Sequence, residues 1–252
     1  LKAGHRVGHG NTIIMEACEY YNSFLSFHPT VAVILNIEAD HLDFFKDLED
    51  VEKSFRAFAE RTPESGTVVA NYDDKNTMDT IRGIDRNVIT FGLTPEADVY
   101  AENIKFKGAN SKFDIMYNGQ LFTDVILHVP GMHNVKNALA ATAACISVGI
   151  RPSSVKYGLA GFNGAGRRFE FKGKFNGADI YDDYAHHPGE LKALLDAVEM
   201  LNDKRSIVGF QPHTFSRTAA LFNDFVEQLK RPDVLLLAEI FAARETNTIG
   251  IS

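Results

Sequence analysis

The stretch Thr30–His41, "TVAVILNIEADH", passes from a run of apolar, largely β-branched residues into Asn36, Glu38, Asp40 and His41. That reads as a buried strand whose carboxyl end carries polar groups. The next segment, "DLEDVEKSFRAFAERTP", places Leu48, Val51, Phe55, Phe58 and Ala59 at helical spacing, with Pro63 as a stop. A strand then recurs in "GTVVANYDD", and another in "NVITFG" after a short helical stretch. Strand and helix in alternation predict a mainly parallel sheet. On the amino-terminal side, "NTIIMEACEY" has the same apolar-to-acidic form and predicts a further strand, ending near Glu16 and Glu19.

Downstream the rhythm changes. Residues 98–131 alternate and contain Asn118-Gly119, which predicts antiparallel strands with a tight hairpin. "HNVKNALAATAACISVGI" predicts an alanine-rich helix, and "PSSVKYGLAGF" a shorter one with Ser153 or Ser154 as its cap. "GAGRRFEFKGKFNG" is Gly-rich and basic and predicts a joint between domains. After it the α/β rhythm resumes: strand "ADIYDDY", helix "HPGELKALLDAVEML", strand "RSIVGFQP", helix "SRTAALFNDFVEQLK", strand "DVLLLAEI". The expected organisation is a domain over 1–165 and a second, Rossmann-like one over 166–252.

Composition narrows the function. The 252 residues are 45% hydrophobic, with a net charge of −7. An acidic chain argues against sequence-independent nucleic-acid binding, which needs phosphate-neutralising charge. No apolar run is long enough to suggest a membrane helix. Cys18 and Cys145 have no metal-ligand spacing and predict buried, reduced thiols of a cytoplasmic protein. Nothing in the sequence fixes an oligomeric state.

Ligands of open α/β sheets bind outside the carboxyl ends of the strands. Polar clusters fall at several such ends: Glu16 and Glu19; Asn36, Asp40, His41 and Asp43; Asp182, Asp183, His186 and His187; Gln211, His213 and Arg217. Any one of them also reads as a helix cap or a loop residue. Carboxylates with a single His suit Mg²⁺, which takes few protein ligands and completes its shell with phosphate and water. His133, Asn134 and Asn137 open a helix, with the two Asn one turn apart; Asn134 reads equally as a cap or as a reader of a planar base. Arg167 and Arg168 read as phosphate ligands or as solvated cations. "GHRVGHG" lacks the pattern of a phosphate loop.

These phrases occur together. "EACEYYNSFLSFHP", "NIEADHLDFF", "PGMHNVKNALAA", "GAGRRFE", "DDYAHHPGE" and "FQPHTFSRT" resemble, in order, the Mur ligases, ATP-dependent amide-forming enzymes of peptidoglycan precursor synthesis. The last two are most similar to members that join L-alanine to the carboxylate of UDP-N-acetylmuramate. The resemblance implies ATP and Mg²⁺, with Glu16 holding one Mg²⁺ between the ATP phosphates and His41 a second near the sugar carboxylate. It places Asn134 and Asn137 at adenine with His133 beside them, and Arg168 and Asp183 toward ribose and phosphate. It places His186, His187 and Arg217 at the amino acid and muramyl carboxylate, with Arg167 and His213 on the substrate side. His41, His186 and Arg217 are the expected catalytic residues. The family's G-K-[ST] phosphate loop and amino-terminal domain have no counterpart here, so the chain reads as part of a longer protein, inactive by itself. A ligase that recycles murein peptides, a non-catalytic nucleotide-binding module and a scaffold on a degenerate ligase fold are the alternatives.

Overall fold

The structure is a computed structural model and describes residues 5, 7–42, 44–201 and 205–252. Asp43 lies outside them, as do Gly4 and Arg6 of the "GHRVGHG" stretch. The chain forms two compact units, one of residues 1–104, 112–126 and 135–161, the other of 105–111, 127–134 and 162–252.

A six-stranded sheet runs in chain order through β1 (Val31–Ile34), β2 (Thr67–Asn71), β3 (Asn87–Gly92), β4 (Val99–Lys107), β5 (Asn110–Tyr117) and β6 (Gln120–Leu127). β1, β2 and β3 are parallel, and β3 pairs with β4 in parallel through Phe91–Val99 and Gly92–Tyr100. β5 and β6 turn back on each other through Asn118-Gly119, both at positive φ, as that dipeptide favours. The fold is α/β with a mostly parallel sheet and an antiparallel meander.

Helix α1 (Leu48–Glu60) starts at Asp47, whose side chain accepts the Asp50 N–H at 3.0 Å. Its apolar stripe buries Val51, Phe58 and Ala59 against Ile34, Val68 and Ala70 of the sheet and against Phe24, which stacks on Phe58 with centroids 4.6 Å apart. Helix α2 (Lys75–Ile81) is capped by Asp74. β2 is buried on both faces; β1, at the edge, is not, and Val33 stays 38% exposed. The expectation of a fully buried first strand therefore holds for one face only.

Several sequence expectations change. Residues 12–19 form no strand: they pair with no neighbour, Ile13 and Ile14 stay exposed, and a short 3-10 helix follows over Tyr20–Ser26. Apolar alternation cannot make a strand without a ladder to join. Cys18 lies in this stretch and is exposed rather than buried; Cys145 is half-buried, and both are free. Helix α3 (Met132–Ser147) forms as expected, but α4 (Pro152–Ala160) starts on Pro152, with Arg151 at the cap and both serines inside. Proline at the first helical position has a fixed φ and no N–H to satisfy. The basic "joint" is partly strand: β7 (Glu170–Phe175) and β8 (Ala178–Asp182) form an antiparallel hairpin about Asn176-Gly177, an Asn-Gly turn that the composition of the segment obscured.

In the second unit α5 (Pro188–Leu201), α6 (Phe215–Ala220) and α7 (Phe222–Leu229) accompany the parallel pair β9 (Ile207–Phe210) and β10 (Val234–Leu237). Leu191, Phe210 and Phe225 form its buried cluster. The single helix expected over 216–230 is broken at Leu221, which leaves helical geometry at φ −112° and ψ 23°. Among the described residues no helix is long and apolar enough to cross a membrane.

Gly131 leads into α3 at φ +94°, where a Cβ would stand 2.5 Å from His133 Cε1 and 3.2 Å from Ala197 Cβ. Gly131→Ala should therefore cost about 1–3 kcal/mol, through backbone strain and displacement of the His133 ring. The check is the urea midpoint followed by circular dichroism; an unchanged midpoint would mean the turn relaxes freely.

Candidate functional site

In the first unit the segment after β1 is held by polar side chains. Asn71 donates to Leu35 C=O at 2.8 Å and Asn76 to Ile37 C=O at 2.8 Å, while Asp74 accepts the Ile37 N–H at 3.1 Å. This fixes the polypeptide that leads to His41. The His41 backbone is at φ 54°, and its N–H is taken by Asp40 Oδ1 at 2.7 Å. Its Nε2 faces Glu19 Oε1 at 3.1 Å, and its ring packs on Tyr20 with centroids 4.6 Å apart. The His41 hydrogen bond, against the opposing pull of burial, holds the Glu19 carboxyl below the usual glutamate range. The carboxylate at His41 is thus Glu19. Glu16 lies exposed in the strandless stretch. Among the described residues no three His, Cys, Asp or Glu side chains gather as a metal cage.

At the start of α3, the Asn134 amide donates to Pro130 C=O at 2.7 Å and lies 3.0 Å from His133 Nε2. It braces the turn as a donor, which differs from the capping acceptor role open in the sequence. Asn137 is exposed one turn further on. Burial draws the His133 imidazole below its ordinary pKa, against the raising influence of Asp183 and Asp196. Lys136 pairs with Asp73 at 2.9 Å.

In the second unit, "DDYAHHPGE" folds into the start of α5. His187 precedes Pro188 at the first helical position, and its Nδ1 accepts the Gly189 N–H at 3.3 Å. Glu190 reaches back to the N–H groups of His186 at 2.9 Å and His187 at 3.3 Å. This is a capping box with histidine in place of serine or threonine. Glu190 also receives Arg168 Nη1 at 3.0 Å and lies 3.2 Å from His186 Nδ1. Asp183 uses one oxygen for the Phe169 N–H at 2.7 Å and the other for the Ala185 N–H at 2.8 Å. Arg167 lies over the Tyr184 ring, 4.5 Å from its centroid.

The segment after β9 supplies His213, whose ring centroid is 6.1 Å from that of His186, and Arg217, which donates to His213 C=O at 3.1 Å. Burial, then the Arg217 and His186 charges, push the His213 imidazole below its ordinary pKa. A cleft of about 910 Å³ is lined by Arg167, Asp183, Tyr184, His186, His213 and Phe241 among others. Its walls mix Arg167, Arg205 and Arg231 with carboxylates such as Asp182, Asp183 and Glu199, so charge of both signs faces a ligand there.

Residues 5–145 match the profile of the Mur ligase middle domain, and residues 167–248 that of the Mur ligase glutamate ligase domain. The chain belongs to the Mur ligase family. It is 47% identical to the UDP-N-acetylmuramate–L-alanine ligase of Clostridium novyi over 98% of this chain and 54% of that protein. It is 48% identical to that of Agathobacter rectalis, again over 98% and 54%. It thus spans about half the length of the curated relatives it matches. Among solved Mur ligases, the UDP-N-acetylmuramate-alanine ligase of Thermotoga maritima superposes at a TM-score of 0.71 and 28% identity, over 87% of this chain and 48% of that one. Thermotoga maritima MurF in complex with ADP shares the fold at a TM-score of 0.69 and 19% identity, over 86% and 51%.

Sequence reasoning named the cations and imidazoles that the structure brings together in each unit. It missed Glu190, although a Glu three residues after a cap is a readable signal. It gave Glu19 no role of its own, although the Glu19 carboxylate meets the His41 ring.

Burial pushes the Glu190 carboxyl up, but the His186 N–H, the His186 charge and Arg168 outweigh it and leave its pKa lowered. Its stabilising contribution is therefore complete above the ordinary glutamate value of about 4.3 and is lost as pH falls through the lowered value. Glu190→Gln should be less stable at neutral pH and should show a shallower loss of stability on acidification below about pH 4.3. Thermal melts of both proteins across that range check it; parallel acid limbs would contradict it.

Proposed function

We propose that this chain carries the nucleotide- and amino-acid-handling parts of a cytoplasmic, ATP-dependent ligase that joins L-alanine to the carboxylate of UDP-N-acetylmuramate. The observation that carries the reading is the 47–48% identity to two such ligases over 98% of the chain. The histidines and Arg167 that line the cleft of the second unit are consistent with it.

The muramyl carboxylate oxygen attacks the γ-phosphorus of ATP and ADP leaves, giving an acyl phosphate. The amine of L-alanine attacks that carbonyl, the tetrahedral intermediate expels phosphate, and the nitrogen loses a proton. Arg217, Arg167 and Arg168 offset the charge of the anions brought together, and Arg217 orients the carboxylate. His186 and His187 face the amino acid. His213 has a lowered pKa, which favours the neutral imidazole, and its Nδ1 lies 3.4 Å from Arg217 Nη1. Asn137 and Asn134 contact adenine, with His133 beside them, and Asp183 shapes the loop on the ribose side.

The donor set beside His41 fits Mg²⁺: an imidazole nitrogen with carboxylate oxygens of Glu19 and Asp40, few enough to leave positions for phosphate and water. Bound there, Mg²⁺ supplies positive charge against the phosphates.

The test is phosphate release by the full-length protein given ATP, Mg²⁺ and UDP-N-acetylmuramate. Release should require L-alanine, and the 252-residue chain by itself should give none. Release that ignores L-alanine but requires a murein tripeptide would favour the recycling ligase, and release with neither would leave a nucleotide-binding module. In the same assay Asn137→Ala should raise the KM for ATP about 2- to 12-fold, the cost of one amide hydrogen bond, with the KM for the sugar nucleotide unchanged. Equal losses for both would assign Asn137 to the fold of α3.

A further inference from the structure

The parallel ladder of β9 and β10 does not stop where the strands do. Beyond it, Ala238 N–H donates to Phe210 C=O at 2.9 Å, and Gln211 Nε2 to Glu239 C=O at 3.2 Å. Phe241 N–H donates to Pro212 C=O at 2.8 Å, and His213 and Phe241 form a further parallel bridge. Their rings stack 17° from parallel with centroids 5.5 Å apart.

The lacing ends at Glu245. Its Oε2 accepts the Ser216 N–H at 2.9 Å, and its Oε1 accepts the Thr214 hydroxyl at 2.5 Å and the Ser216 hydroxyl. Thr214 is the N-cap residue of α6, yet its side chain makes no cap bond. Its hydroxyl is committed to Glu245, and a carboxylate about 30 residues downstream takes over the cap. A negative charge at that end of a helix is also favoured by the helix dipole. Burial pushes Glu245 up, but bonds from Ser216, Thr214 and the Phe215 and Ser216 amides bring it below its ordinary value, so it is ionised at neutral pH.

The residues so held are functional candidates. Thr214 and Ser216 flank the segment His213–Arg217, and Arg217 is fixed in turn to His213 C=O. We propose that Glu245 is a positioning residue: through Thr214 and Ser216 it sets the start of α6 and thereby the aim of His213 into the cleft and the place of Arg217 beside it. Its effect on turnover rests on the ligase reading above; its hold on the loop does not. Nothing in the local sequence announces this, because the carboxylate and the helix it caps are joined only by the register of β9 with β10.

The experiment compares Glu245→Ala, Glu245→Gln and wild type in the full-length protein. Amide exchange over residues 214–218 should quicken about 10-fold or more in the alanine variant, the loss expected for a charge-assisted hydrogen bond. Its kcat/KM for the substrate that Arg217 engages should fall by about 10-fold or more, with the KM for ATP unchanged. Glutamine retains an acceptor for Ser216 N–H and a donor for the two hydroxyls, so it should restore most of both losses. Unchanged exchange in Glu245→Ala overturns the contact. Quickened exchange with unchanged kcat/KM overturns the positioning role and leaves a simple cap. Should the alanine variant not fold, Glu245→Asp, one methylene short, is read by the same criteria. Wild type separates the two readings. If it shows no alanine-dependent phosphate release, the ligase reading fails. Exchange and the His213 imidazole shifts, which report the Phe241 ring, then decide the positioning proposal: unaltered values in Glu245→Ala overturn it.

Discussion

Backbone N–H and C=O groups that leave a strand lose their ladder partners, and burying them without replacements costs more than most side-chain contacts return. The loops of this chain meet that constraint with side chains. Asn71, Asn76 and Asp74 take the groups that β1 leaves open, and Asp183, Glu190 and Glu245 do the same after β8, at the start of α5 and at the start of α6. The loops that carry His41, His186 and Arg217 are therefore shaped by neighbouring amides or carboxylates. That is how irregular polypeptide at a strand end holds a side chain in one place.

The same constraint shapes the electrostatics. The chain carries a net charge of −7, yet Arg167, Arg168, His186, His213 and Arg217 gather in the second unit. Among the carboxylates near them, Asp183 and Glu245 spend their oxygen atoms on backbone N–H groups and hydroxyls, while Glu190 also pairs with Arg168 and Asp182 lies 3.9 Å from Arg167. A carboxylate so engaged offers less compensation to a guanidinium than a freely rotating partner would. Local rather than net charge is what a ligand meets.

Most of the fold was legible, because apolar periodicity reports burial directly. The stripe Val51, Phe55, Phe58 placed α1, and Asn118-Gly119 placed the β5–β6 turn. The failures share a cause. "NTIIM" has a strand's pattern but no neighbour to pair with, and "KGKFNGADI" has a hairpin's turn within a basic, Gly-rich stretch. Pairing is non-local and periodicity is not. The site divides the same way. Arginines and histidines in short phrases were recognisable one by one. The pairing of Glu19 with His41, or the reach of Glu245 to Ser216, depends on three-dimensional register that no short window contains.

The caps carry one more consequence. A helix N-terminus is a ready anion site, since free N–H groups and the dipole both favour negative charge. In the second unit the α5 start is occupied by Glu190, and the α6 start by Glu245. The protein's own carboxylates already hold the places that a phosphate or a substrate carboxylate would seek. An anion in this cleft must then be met by side chains, through guanidinium and imidazole groups whose donors have fixed directions. Recognition by such side chains is more directional than recognition by a dipole. It is also more exposed to error, because each side chain can turn away unless its loop is held. The capping carboxylates thus do two things at once: they close the helix ends to the ligand, and they fix the loops whose side chains must receive it instead.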